Sequence, residues 1–205
     1  MLAEQVFCEA RLDLRLTTGL EERKPSPSRA RLVLETLLEA RRKLPPRRDE
    51  VFTLSVPIAT VLQGVPIVGR PPAAVFRGNC VAALYAARQS RRHKLYPGDR
   101  VKLYTYAAML NSLGLMCNDA RLALLVGVAP EDIYRALIIL GDATHPRPVA
   151  SGGFTVHVLA HDPGVEEETL APLLAYWRGE RAPRPRRGPW CSSCPVKEDC
   201  FTLFP

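Results

Sequence analysis

Apolar positions recur at helical spacing in three stretches of the chain, with polar residues on the opposite face. The first stretch follows Ser26-Pro27-Ser28, whose hydroxyl groups can cap a helix start, and it stops at Pro45-Pro46. The second opens at Asp99. The predicted helices cover about residues 26–44, 99–115 and 165–178, and Pro130-Glu131-Asp132 begins a shorter one.

Between Val51 and Ala87 the spacing changes to short apolar, β-branched runs separated by Gly and Pro, which is typical of strands. This stretch predicts a meander, and two later runs predict further strands. Helices combined with strands in this order predict an α/β (α+β) domain with a central sheet flanked by helices. The predicted strands are FTLSVPI, VLQGVPIVG, AAVF, CVAALYAA, LALLVGV (122–128) and FTVHVLAHD (154–162).

We interpret the chain as one domain with three parts. A helical N-terminal part covers about residues 1–50, a sheet core about 51–162, and a C-terminal helix with a cysteine-rich region about 163–205. No apolar run approaches the roughly 20 residues of a membrane span, and the N-terminus has no secretory signal pattern. These features predict a cytoplasmic protein without a membrane partner.

The composition adds a prediction about partners. The formal net charge is +7 and the pI about 9.3, which favours an anionic partner, nucleic acid first. The 19 prolines, with few Asn and Gln residues, indicate a thermophilic source.

Cysteine spacing is the most specific signal in the chain. Cys191, Cys194 and Cys200 can converge on one metal centre, because a C-x2-C pair needs only a tight turn. Of the remaining cysteines, Cys80 and Cys117 lie inside apolar runs, where we expect inert buried thiols. Cys8 is therefore the predicted fourth ligand. Zinc in the same four-thiolate site is an alternative, and disulfides or free thiols rank lower in an intracellular setting.

This cysteine pattern resembles that of the CRISPR-associated RecB-like iron–sulfur nucleases, of the PD-(D/E)XK superfamily. They have a V-F-C-x5-L segment near the N-terminus and a distant C-x2-C-x5-C after a basic Arg/Pro arm. Gly64–Arg70 resembles their G-x4-G-R turn, and Asp99–Tyr106 their D-x-x-Q-L-x-x-Y helix motif. The resemblance implies a RecB-like mixed sheet and an iron–sulfur cluster, with 4Fe-4S favoured and 2Fe-2S as an alternative. Its cluster ligands would be Cys8, Cys191, Cys194 and Cys200.

The resemblance also indicates that the nuclease centre is missing. The family has an Asp, a Glu and a Lys where this chain has residues near Pro72, Ala83 and Tyr85, and its Gln is replaced by Lys102. No Asp or Glu occurs from Val51 to Gly98, so this segment lacks the carboxylates that hold Mg²⁺ or Mn²⁺. We predict no catalytic residues; ligands displaced to Glu35, Asp99 or Asp162 are the alternative.

A basic loop follows the predicted meander. The expected nucleic-acid contacts are Arg88, Arg91, Arg92, Lys94 and Lys102, with Tyr96 or Tyr104 available to stack on a base. The Arg/Pro arm at 179–190 is either a second contact surface or a linker wrapped around the domain.

Together these observations predict a catalytically inactive relative of these nucleases. It would bind nucleic acid, with DNA favoured, or a protein partner. The alternatives are an active Mg²⁺- or Mn²⁺-dependent DNA exonuclease with displaced carboxylates and a purely structural subunit of a larger assembly.

Overall fold

The computed structural model describes residues 2–19, 29–43, 50–54, 56–142 and 148–204. Three helices come first, five strands follow, and the remaining helices and strands are mixed; a 3-10 turn (Pro189–Ser193) precedes the last helix. The helices are α1 (Leu2–Gln5), α2 (Glu9–Thr18), α3 (Arg29–Lys43), α4 (Pro97–Ser112), α5 (Ile133–Asp142), α6 (Pro163–Trp177) and α7 (Lys197–Leu203). The strands are β1 (Glu50–Leu54), β2 (Ile58–Leu62), β3 (Val65–Gly69), β4 (Ala73–Arg77), β5 (Cys80–Arg88), β6 (Met116–Val126), β7 (Pro148–Ser151) and β8 (Phe154–Ala160).

A mixed sheet forms the centre of the fold, in the order β1-β4-β5-β6-β8-β7. Only the central pair, β5 and β6, is parallel among these neighbours, with Leu84 opposite Leu122. Parallel neighbours need a crossover connection, and α4 supplies it. The prediction of an α+β fold with a central sheet flanked by helices is confirmed.

The two faces of the sheet are covered by different helices. Leu103 and Leu110 of α4 pack with Leu84 on one face. On the other, Leu37 of α3 and Ile133 of α5 pack with residues of β6 and β8. Full burial of each such side chain stabilises the fold by roughly 2 kcal/mol, which explains why the central strands are apolar on both faces.

One predicted strand, VLQGVPIVG (61–69), instead contains the end of β2, a turn and all of β3. The chain reverses at Gln63 and Gly64, which have positive φ angles of 47° and 81°. The separate β2–β3 hairpin that results packs against α4 and α6, around Leu62, Met109 and Leu170. The prediction of one continuous strand here was wrong, because the turn lies between two equally apolar runs.

Other boundaries differ by a few residues. β6 starts at Met116 rather than Leu122, and the short strand β7 was not predicted. α4 begins at Pro97, and the Asp99 side chain accepts a hydrogen bond from the Tyr96 backbone N–H at 3.2 Å. The predicted start and end of the helix at 26–44 lie outside the described residues. No helix among the described residues is long and apolar enough to cross a membrane.

Cys80 and Cys117 form a disulfide, which corrects our expectation of two inert thiols. The parallel register pairs Val81 with Met116 and so brings the two cysteines together, with 5.2 Å between their Cα atoms. Such a separation suits a disulfide. The bond joins the two central strands of the sheet, across 37 residues of sequence.

Reducing this disulfide is expected to lower the free energy of unfolding by about 4 kcal/mol, from the loop-closure entropy of a loop this long. Denaturant unfolding with and without a thiol reductant measures the difference. The Cys80→Ala/Cys117→Ala variant is the control, because its unfolding midpoint should not respond to the reductant. Equal midpoints for the wild type in both states would show that the bond is absent or contributes nothing.

Candidate metal centre and nucleic-acid interface

The four cysteines predicted as ligands lie around one cavity. Cys8 immediately precedes α2, Cys191 lies in the 3-10 turn with Cys194 just after it, and Cys200 lies in α7. All four line a cavity of about 30 Å³ and none is in a disulfide. Cys8 is buried and the others are half-buried. The fold thus brings the two ends of the chain together at this point.

A buried carboxylate fastens the Arg/Pro arm to the N-terminal helices. Both terminal nitrogens of Arg181 donate to Glu9, at 2.6 and 2.5 Å, and the Arg184 backbone N–H donates to it at 2.8 Å. Gln5 adds a donor at 2.8 Å. Burial raises the pKa of Glu9, but the hydrogen bonds from Arg181, Gln5 and Arg184 outweigh burial and leave the pKa below its usual value. Of the two readings of the arm, Arg181 supports the linker wrapped around the domain.

The sulfur atoms have an environment suited to thiolate ligands. The Arg186 backbone N–H donates to Cys8 Sγ and the Gly188 N–H to Cys191 Sγ, each at 3.4 Å. Burial raises the pKa of Cys200, and the neighbouring thiols, Cys8 foremost, raise it further. Deprotonating several of these thiols is therefore unfavourable because their negative charges repel each other in a partly buried site. A bound cationic centre would offset this repulsion.

The side chains around the four-cysteine cavity determine which kind of metal group could be bound there. In the part of the chain that the structure describes, no three or more Cys, His, Asp or Glu side chains form a group that could hold a metal ion. The cavity lining supplies four thiols, several Arg and Lys side chains and no carboxylate. Sulfur donors with N–H···S bonds suit an iron–sulfur cluster, and the surrounding cations offset the negative charge of four thiolates. The donor types therefore suit an iron–sulfur cluster, although the described residues do not gather three of them as metal ligands.

Apolar side chains pack around the part of β5 where the resemblance would place nuclease carboxylates. Leu34 and Leu38 of α3 are buried against Ala73, and Tyr85 and Ala87 of β5 pack on this group. Ala83 is itself buried in the sheet. With apolar side chains at these positions, this part of the described interior contains no unpaired charge whose burial would destabilise the fold.

The three carboxylates considered as displaced ligands have other partners. Glu35 pairs with Arg31 at 2.7 Å, and Asp99 lies 3.2 Å from Arg88. Asp162 caps α6 by accepting hydrogen bonds from the Gly164 and Val165 backbone N–H groups. Each carboxylate is therefore engaged at a different place in the fold.

The basic loop divides into a structural and an exposed part. Arg88 forms the ion pair with Asp99, lies 4.7 Å from the Tyr96 ring centre and donates to the Lys94 carbonyl at 2.6 Å. Arg88 is therefore a residue that shapes the loop. Arg91, Arg92 and Lys94 are exposed, and none of them takes part in an ion pair among the described residues.

Two histidines fix the loop to the sheet. The His157 Nε2–H donates to the His93 carbonyl at 2.8 Å, and His93 Nδ1 lies 3.3 Å from the Thr155 hydroxyl. Of the two tyrosines proposed to stack on a base, Tyr104 is only 6% exposed and packs in the core. Tyr96 is at the surface, with the Arg88 guanidinium 4.7 Å from its ring centre.

Lys102 lies on α4 beside a larger cavity of about 400 Å³, lined also by β3 and Trp177. Its residue surface is exposed, yet burial of its ammonium group lowers its pKa, and Asp99 offsets part of that effect. Gly69 and Tyr106, from the two internal motifs, meet in this cavity; a Cβ on Gly69 would come within 2.8 Å of the Tyr106 ring. Lys102 thus faces a different feature of the surface from the exposed loop cations.

His161, the residue before the helix cap Asp162, contacts a buried glutamate of α6. His161 Nδ1 lies 2.7 Å from Glu166 Oε1, and the Glu166 residue is 1% exposed. Burial raises the pKa of Glu166, although the His161 hydrogen bond lowers it in part. No sequence signal distinguished this glutamate from its neighbours at 167 and 168, because only the packing of α6 buries it.

Comparison with known proteins does not assign the chain to a family. No protein-family model matches this sequence, and a search of curated proteins found no match. The interpretation of the site therefore rests on its motifs and on the geometry described above.

Proposed function

We propose that this chain is a catalytically inactive relative of the RecB-like iron–sulfur nucleases that binds nucleic acid, DNA in preference, within a larger protein assembly. One observation carries the proposal. Near the positions where the resemblance expects the nuclease Glu and Lys, Ala83 is buried and Tyr85 packs against apolar side chains of α3, whereas the loop that follows β5 keeps its cations exposed. A fold that has lost its catalytic groups and kept a basic surface is suited to binding.

Phosphate contact is the chemistry expected of the exposed loop. Lys and Arg side chains that neutralise phosphates release counterions, which makes the affinity depend steeply on salt. The exposure of Arg91, Arg92 and Lys94 supports this contact, and the nearby carboxylate of Asp99 is compensated by its ion pair with Arg88. Lys102 would be a separate contact, because it lies beside the larger cavity next to α4 and not in this loop.

The proposed cluster has a structural role. Cys8, Cys191, Cys194 and Cys200 would hold it, with 4Fe-4S favoured and 2Fe-2S or zinc as alternatives. When bound, the group supplies a covalent link between the chain ends. The protein's own contribution is to hold the thiolates with backbone N–H donors and to surround them with Arg and Lys side chains.

A combined binding and cleavage assay tests the proposal. We expect a fluorescent DNA oligonucleotide to be bound with a steep salt dependence and to remain intact with Mn²⁺ or Mg²⁺. Cleavage above the buffer background would instead support the active nuclease. In that case Glu35→Gln, Asp99→Asn and Asp162→Asn would identify the displaced ligand.

A purely structural subunit is the second candidate, and exposed apolar side chains favour it. Tyr134 and Ile138, one turn apart on α5, are 53% and 64% exposed. Exposed aromatic and aliphatic pairs of this kind suit a protein interface. Under this candidate, free DNA would bind weakly at moderate salt in the same assay.

A further inference from the structure

Three aromatic rings stand at the surface around the four-cysteine cavity. Phe7, Trp190 and Phe201 all line it and are 42%, 37% and 43% exposed. Rings that served only to cover the cavity would gain by being buried, as Phe154 of the sheet is at 1%. Exposure of three rings at one place indicates a surface with a partner. We call these three residues the aromatic face.

An arginine guanidinium group lies over each ring of the aromatic face. Arg11 lies 5.5 Å from the Phe7 ring centre, Arg186 5.9 Å from that of Trp190 and Arg187 4.7 Å from that of Phe201. Cation–π contacts of this kind hold charge and ring side by side. Flat aromatic rings and positively charged guanidinium groups therefore lie next to each other along this face.

The face is held in place before any ligand arrives. Trp190 Nε1–H donates to the Arg186 carbonyl at 3.1 Å, and the Phe7 and Trp190 ring centres are 5.4 Å apart. The Trp190 ring packs so closely on Gly188 that a Cβ there would lie 2.4 Å from it. Pre-ordered aromatic side chains lose little entropy on binding.

A second cavity continues the face along α2. It has a volume of about 170 Å³ and is lined by Phe7, Arg11 and Arg15 and by Glu4, whose carboxylate lies 3.7 Å from the Arg15 guanidinium. Arg11 and Arg15 are one helical turn apart, so both guanidinium groups lie on the same side of α2 as Phe7. A phosphate bound in this cavity would lie next to a base stacked on the ring.

We propose that the aromatic face binds single-stranded nucleic acid, with bases stacked on Phe7, Trp190 and Phe201 and phosphates held by Arg11, Arg15 and Arg187. This inference rests on the proposed function, because it assumes a nucleic-acid-binding chain. Stacking requires bases with free faces, which a single strand offers and a duplex does not. The positive charge of the face favours this polyanion over a neutral protein partner.

The test compares a single-stranded homopolymer with a blunt duplex of the same length. Phe7→Leu/Trp190→Leu/Phe201→Leu keeps apolar bulk but removes the rings, and Tyr134→Leu, at an exposed aromatic on α5, is the matched control. We expect the triple variant to bind the single strand about tenfold or more weakly, with duplex affinity within about twofold of the wild type. Unchanged single-strand affinity, or an equal loss for both ligands, would overturn the proposal. Wild-type protein that bound neither ligand would instead remove the proposed function itself.

A second measurement on the wild-type chain does not depend on how the variant folds. Ultraviolet cross-linking to a single strand containing bromodeoxyuridine, followed by mass spectrometry, maps the residues that touch the bases. We expect cross-links at the aromatic face. Cross-links confined to residues 88–102 would contradict the inference while leaving a nucleic-acid-binding chain intact.

Discussion

Cys8→Ser is expected to abolish incorporation of the metal centre and to lower the stability of the folded chain by several kcal/mol. Cys8 is the one proposed ligand from the N-terminal part, whereas the other three lie within ten residues of each other in the tail. Without it the centre would no longer join the two chain ends, and the free energy of metal binding contributes directly to folding. Iron and acid-labile sulfide analysis, a visible absorption spectrum and thermal unfolding on one anaerobic sample measure the effect.

Cys80→Ser is the matched control for this experiment. It breaks the disulfide with Cys117 and so lowers stability, but it should leave the iron and sulfide content unchanged because Cys80 is not at the cavity. Full iron content in Cys8→Ser would mean that Cys8 is not a ligand. Zinc without sulfide in the wild type would keep the four-thiolate site and contradict the iron–sulfur assignment.

Arg91→Glu/Arg92→Glu/Lys94→Glu is expected to weaken DNA binding by about a hundredfold at moderate salt. The three side chains are exposed and have no ion-pair partner among the described residues, so reversing their charge places repulsion where phosphates would lie. The slope of log affinity against log salt should also fall by roughly three. Fluorescence anisotropy over a salt series measures both quantities.

The control reverses three charges elsewhere. Arg31→Glu/Arg42→Glu/Lys43→Glu on α3 lowers the net charge by the same amount without touching the loop, and the Arg31–Glu35 pair that it breaks is exposed and contributes little. Equal losses in the two triple variants would mean that net charge alone drives binding. Unchanged affinity in the loop variant would remove the loop from the interface.

Several features were accessible from the sequence because they depend on residues close together in the chain. Helical periodicity identified α4 and α6, and the described part of α3, to within a few residues. C-x2-C-x5-C spacing identified three cysteines that line one cavity. The absence of carboxylates from 51 to 98 is a property of composition that no folding could change.

Other features could not be predicted from the sequence, because their local patterns were weak or did not differ from those of neighbouring residues. The strand β7 is four residues long and half exposed, so its apolar content was too small to mark it. The turn of the β2–β3 hairpin, at Gln63-Gly64, was missed because the apolar residues on both sides of it resemble one strand. Arg88 and Arg91 are the same residue type in one loop, and sequence alone could not separate their roles.

The sequence by itself determined the helices, the local cysteine group and the basic, carboxylate-free character of the central segment, since short-range spacing and composition specify them. Only the tertiary structure decided which distant residues meet. The parallel pairing of β5 and β6 joined Cys80 to Cys117, and the Glu9–Arg181 contact brought Cys8 to the tail. The packing of α3 on β5 placed Leu34 beside Tyr85. Such contacts depend on sheet register and helix packing, which arise from the burial of the whole core rather than from any local pattern.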